Sequence, residues 1–204
     1  MVTILVNNYR VTIMGVVCNP RPGSFTHALA KHAKETLEGL GHELLLHDLY
    51  QERFDPVLDA SELARSFSLD GLVQTYCREL SSSAGLVVLH PDWWGQPPAV
   101  LKGWFDRVWA PGSAYDHATD LGAIRPRLHG LRRTLAITTL GAPGWVDWLV
   151  MHQPVRRVLK TAILGTCAPK SRFEMLSLYK SERVEPARFE SFRRRIAACL
   201  ADWR

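Results

Sequence analysis

The chain has 204 residues, of which 47% are hydrophobic and 22% charged, with a formal net charge of +5. That length supports one sizeable core and a single domain over residues 1–204. No apolar run is long enough to span a bilayer, and no zinc-finger, RNP-type or helix-turn-helix pattern marks a nucleic-acid binder. Cys18, Cys77, Cys167 and Cys199 are far apart, without CxxC or metal-type spacing. They read as incidental or buried thiols of a cytoplasmic protein with no metal centre. A nucleophilic Cys18 would lack an evident base.

Residues 1–9 carry neither the basic region nor the cleavage site of a signal peptide and read as a tail. Val11 to Val17, rich in β-branched residues, is the first predicted strand. Ser24 is an N-cap, and Phe25 to Leu40 is a helix closed by Gly41. His42 to Asp48 is a second strand. Asp55 to Ser68 is a loop with a short helix at Ser61 to Arg65, and Leu69 to Leu80 is a helix. Gly85 to His90 is continuously apolar, as a strand buried on both faces must be. Pro98 to Trp109 is a helix with proline in its first turn. Gly112 to Leu131 is irregular. Arg133 to Gly141 is the fourth strand, Trp148 to Leu164 a helix ended by Gly165, Phe173 to Tyr179 the fifth strand, and Pro186 to Asp202 the last helix.

Strands alternating with helices specify a doubly wound parallel sheet covered on both faces. Such sheets bind ligands at the carboxyl ends of their strands. That directs attention to the loops after strands one, three and four. The first, "CNPRPGSFT", is neither a Walker A loop nor GxGxxG. It nevertheless sets backbone N–H groups and the hydroxyls of Ser24 and Thr26 at a helix start, with Arg21 nearby, which is either an anion site or a plain capped turn. The fourth strand ends in "TTLG", whose hydroxyls either line a ligand or simply favour the strand.

The third loop opens "HPDWWGQPPAVLKGWFDRVW", His90 to Trp109, which holds Trp93, Trp94, Trp104 and Trp109 of the chain's 7 tryptophans. Trp104 falls in the helix pattern and reads as core. Trp93 and Trp94 sit in the loop, stiffened by Pro91, Pro97 and Pro98. A rigid aromatic loop beside a phosphate-type helix start suits a planar phosphorylated cofactor.

This segment resembles the signature of the flavodoxin-like NAD(P)H:quinone oxidoreductases, the group of DT-diaphorase, modulator-of-drug-activity and potassium-efflux ancillary reductases. The likeness rests on Pro91, Trp93, Trp94, Pro98, Ala99, Leu101, Lys102, Trp104, Asp106, Arg107, Val108, Ala114 and Tyr115, and on "PGSFTHAL" in the first loop. It covers roughly Val11 to His152.

The resemblance implies a five-stranded sheet of order 2-1-3-4-5 and a homodimer binding FMN or FAD. Hydride would pass from NADH or NADPH through the flavin to a quinone-like acceptor. Ser24, Phe25 and Thr26 would hold the flavin phosphate, with Asn19 and Arg21 beside them. Pro91, Asp92, Trp93, Trp94 and Gly95 would frame the ring, and Thr138, Thr139, Leu140 and Gly141 would meet its pyrimidine edge.

The chain departs from the family pattern at Asn19, where the family has His, and at Leu140, where it has Gly. Val146 replaces a proton-handling Tyr; the companion His falls on His152, which the resemblance makes the proton donor. Alternative roles are a flavin-binding accessory subunit of a partner protein and a nitro- or azo-group reductase. An electron-carrying flavodoxin fits neither the basic charge nor the Trp-rich run.

Overall fold

A computed structural model describes residues 10–118 and 122–203; the tail expected at 1–9 lies outside them. Five strands form one parallel sheet: β1 (Thr12–Val17), β2 (Glu43–Asp48), β3 (Gly85–Pro91), β4 (Arg133–Thr139) and β5 (Arg172–Leu178). Their spatial order is β2-β1-β3-β4-β5, as expected, with β5 at one edge. The register pairs Val17 with Asp48 and Leu89, and Thr139 with Pro91 and Leu178, so all five carboxyl ends finish close to one level.

Every residue of β3 is buried, which explains its unbroken apolar sequence: side chains on both faces need apolar neighbours. On one face lie α1 (Phe25–Gly39) and the last helix, α6 (Pro186–Ala201). Leu29, Ala33 and Leu37 of α1 and Phe192, Ile196 and Leu200 of α6 recur at helical spacing, and each set is buried toward the sheet. On the other face lie α2 (Ala60–Arg65), α3 (Gly71–Ser82), α4 (Ala99–Val108) and α5, a continuous helical run through Pro154–Arg157, Val158–Leu164 and Gly165–Cys167. Trp104 is fully buried and Trp109 nearly so, their rings meeting edge-on at 6.3 Å.

The segment between β2 and α3 is clasped to α4. Arg107 donates to both carboxylate oxygens of Glu62, at 2.9 and 2.6 Å, and to the Asp55 carbonyl at 2.6 Å. Both side chains are buried, so their charges survive only because they are paired. One turn earlier, Gly103 lets Pro56 approach so closely that a Cβ would stand 2.2 Å from the Pro56 oxygen.

Three expectations fail. The predicted helix from Trp148 to Leu164 is broken: a wide turn over Val146–Val150 gives way to His152 and Gln153, with φ of 55° and 49°. Pro154 is the cause, since its ring disfavours right-handed helix in the residue before it. Gly165 ends nothing; its φ is −58° and the run continues to Cys167, whose carbonyl accepts the Leu128 amide at 3.1 Å. The region taken as irregular also holds a short antiparallel ladder, Tyr115–Asp116 against Arg125–Pro126.

Candidate active site

The level carboxyl ends of the strands bring three loops together. In the first, Ser24 occupies the cap position of α1, but its hydroxyl does not cap the helix. It bonds His27 Nδ1 at 2.8 Å, and His27 Nε2 bonds Asp48 Oδ2 at 2.8 Å. The amides of Phe25, Thr26 and His27 therefore have no acceptor among the described residues. Gly23, at φ 69°, has open space where a Cβ would stand. Asn19 braces the loop, accepting the Arg21 amide at 3.0 Å and donating to the Thr26 hydroxyl at 2.9 Å. Arg21 is exposed, and Phe25 leans on Phe189 at 5.2 Å. Unpaired amides at a helix start form a donor set that fits a phosphate.

In the second loop the Asp92 amide extends the ladder to the Thr139 carbonyl, then Trp93 and Gln96 exchange backbone hydrogen bonds at 2.9 and 3.1 Å. Between them Trp94 and Gly95 take φ of 59° and 71°, a two-residue reversal of the primed type. The Asp92 carboxylate accepts the Gly95 amide at 2.8 Å, while burial pushes that carboxyl above its ordinary range. Trp93 is 44% exposed and Trp94 98% exposed. A bulky residue in left-handed backbone costs about 1–3 kcal/mol, and such strain concentrates at ligand sites. Below the loop, fully buried His90 donates its Nδ1–H to Pro91 O (2.8 Å), and burial lowers its pKa to about 4, so it is neutral.

In the third loop Thr138 is buried and its hydroxyl is engaged with Ser177 at 3.1 Å. Thr139 and Leu140 are buried as well, which leaves Gly141 and backbone as the exposed face of "TTLG". Leu140 donates its amide to Leu178 O at 2.9 Å. His152 is not on a helix: it is exposed, in left-handed backbone, within the segment that Gly95 abuts. A Cβ on Gly95 would meet Pro154 Cγ at 2.9 Å and Met151 Cε at 3.1 Å. The structure thus brings His152 to the rim of the aromatic loop.

One cluster escaped the sequence reading. The Tyr179 hydroxyl donates to buried Asp147 at 2.8 Å and accepts the Trp148 indole N–H at 3.1 Å. Burial, and next the Asp147 hydrogen bond, raise its pKa. The signal was available: Tyr179 directly follows β5, and the same carboxyl-end rule covers that loop. Cys18, by contrast, is fully buried with its thiol pushed up to about 12 by desolvation, which removes it as a nucleophile. Among the described residues no group of acids, His and Cys could hold a metal, and no helix is long and apolar enough to cross a membrane. A separate cavity of about 540 Å³, lined by Phe67, Cys77 and Arg107, lies on the α3–α4 flank, away from these loops.

A family model described as a flavodoxin-like fold matches residues 12–197. NAD(P)H dehydrogenase [quinone] 1 of Cavia porcellus is 25% identical over 172 residues, 74% of this chain and 61% of that protein. The chain spans about three fifths of the length of the curated relatives it matches. Among solved structures, Smu.1420 from Streptococcus mutans UA159 is 28% identical with a TM-score of 0.80, over 92% of this chain and 97% of that one. The NAD(P)H:quinone oxidoreductase from Methanothermobacter marburgensis also reaches 0.80, at 22% identity, over 93% and 94%, a likeness of fold.

Proposed function

The chain belongs to the flavodoxin-like fold family, and from that premise we propose that it is a flavin-dependent NAD(P)H oxidoreductase acting on a quinone-like aromatic acceptor. The observation that carries this reading is the loop after β3: a tryptophan 98% exposed, held at φ 59°, beside a helix start with unpaired amides. Isolated in water, that arrangement wastes apolar area and strains the backbone. Under a planar ring with a phosphate tail, both features are accounted for.

Bound flavin, FMN or FAD, supplies reversible hydride transfer between the nicotinamide and the acceptor. The protein's part is to bind, orient and shield. The Phe25 and Thr26 amides hold the phosphate, with Ser24 at the cap position, Asn19 fixing the loop and Arg21 adding charge. Pro91, Asp92, Trp93, Trp94 and Gly95 frame the ring, and the loop from Thr138 and Thr139 through Leu140 to Gly141 meets its polar edge, where the Gly141 N–H, unlike that of Leu140, is available to stabilise developing negative charge. His152, exposed at the rim, is the proton donor to the acceptor. Trp145, Leu149 and Val150, at 61%, 72% and 58% exposure, form an apolar strip suited to a second copy of the chain, so the active form is a homodimer. Four free cysteines fit a cytoplasmic setting.

The test is direct. Purified protein should be yellow, release FMN or FAD on denaturation, and oxidise NAD(P)H in the presence of a quinone. A colourless protein that takes up neither added flavin would refute the reading. His152→Ala should slow quinone reduction while flavin content stays unchanged; an unaltered rate would remove His152 from the chemistry.

A further inference from the structure

A groove of about 450 Å³ runs along the free edge of β5, between α5 and α6. Arg156 faces it from α5, Arg188 and Arg195 from α6, and among the described residues no Asp or Glu lines it. None of the three guanidinium groups has a carboxylate within salt-bridge distance among the described residues. Two are held on aromatic faces: Arg156 over Phe173 at 5.7 Å and Arg195 over Phe192 at 5.6 Å. Stacking of this kind fixes the guanidinium plane while leaving its N–H fork free for a planar anion.

The remaining wall is donor-rich and flat. Ser177, Ser191 and the Gln153 amide add polar groups, and Trp148, 59% exposed, presents an indole face oriented by its hydrogen bond to Tyr179. Asp147, which accepts the hydrogen bond of the Tyr179 hydroxyl, is buried and is absent from the lining. Three cations without an acid, together with an exposed aromatic face, specify an aromatic ligand carrying more than one phosphoryl charge. Gln153 and Trp148 belong to the same segment as His152, so the groove opens from the rim of the site already described.

We propose that this groove seats the phosphorylated adenosine end of NADPH, its phosphates on Arg156, Arg188 and Arg195 and its purine against Trp148, and that it makes the chain prefer NADPH to NADH. The proposal rests on the oxidoreductase reading and extends it to the co-substrate.

The test is calorimetric titration of the full chain with adenosine 2′,5′-bisphosphate, adenosine 5′-monophosphate and inorganic phosphate, for the wild type and for Arg156→Gln, Arg188→Gln and Arg195→Gln. Charge-assisted hydrogen bonds of this kind are each worth about tenfold or more in affinity. The bisphosphate should therefore bind at least about tenfold tighter than the monophosphate, and each variant should weaken it by a similar factor. In turnover, the variants should raise KM for NADPH with kcat unchanged. Equal affinity for inorganic phosphate and bisphosphate, or variants that bind like wild type, would overturn the groove. So would equal kcat/KM for NADH and NADPH, and in that case the oxidoreductase reading would stand. Tight bisphosphate binding without any NAD(P)H oxidation would keep the groove and discard that reading. Unchanged thermal midpoints in the exposed Arg188 and Arg195 variants separate lost contacts from lost folding.

Discussion

The segment between β2 and α3 and the loop between β3 and α4 both anchor on or lead into α4, and they are held by opposite means. In the first, Glu62 and Arg107 are buried and mutually bonded, and Pro56 lies against Gly103 with no room for a methyl group. In the second, Trp94 is almost wholly exposed in strained backbone, and the turn is steadied only locally, by the Asp92 carboxylate and the Trp93–Gln96 backbone pair. The first region satisfies itself. The second is rigid yet incomplete, as a surface awaiting a ligand must be.

Breaking the clasp should have the largest effect. Arg107→Met leaves the buried Glu62 charge alone and should cost about 3–5 kcal/mol, read as a shift in the urea midpoint. Adding Glu62→Met should return most of that loss, because a well-packed apolar pair can replace a buried ion pair. Gly103→Ala forces a Cβ against Pro56 and should cost about 1–3 kcal/mol by the same measurement. The clasp also has a pH signature. The Arg107 guanidinium holds the Glu62 carboxyl below its ordinary range, so its stabilisation is complete above the unfolded value of about 4.3 and fades as pH falls through the lowered folded value. Midpoints measured from pH 6 down to about 3 should fall in the wild type and fall less in the double variant.

How much of this contrast could be read from the residues depends on distance along the chain. The strands and α1 follow from local periodicity and turn residues, and the exposure of Trp93 and Trp94 follows from their place after a strand. The clasp did not, because Arg107 and Glu62 are 45 positions apart. The broken helix at His152 is a mixed case. Its local cause, Pro154, stands in plain view, but the turn before it is fastened by Asp147 to Tyr179, 32 positions away. Thr138 shows the same limit: its type suits a ligand edge, while its partner Ser177 on β5 draws the hydroxyl into the sheet.

Smaller effects are expected at the rim. Gly95→Ala meets Pro154 and Met151 in backbone that disfavours a side chain, and should cost about 1–2 kcal/mol. Trp94→Ala should change stability by less than about 0.5 kcal/mol yet weaken flavin binding, read by fluorescence titration. A Trp94 variant that lost stability and kept its flavin would reverse the comparison.

The placement of the cysteines, Cys18 and Cys167 buried and Cys77 and Cys199 partly so, has a chemical consequence. Quinones are electrophiles that alkylate thiolates, so an enzyme turning them over is exposed to its own substrate. Desolvation pushes the thiols of Cys18 and Cys199 up to about 12 and that of Cys167 up to about 11, and raises Cys77 as well. Such groups stay protonated near neutrality and react slowly. Thiols held in that state suit a protein proposed to reduce such compounds.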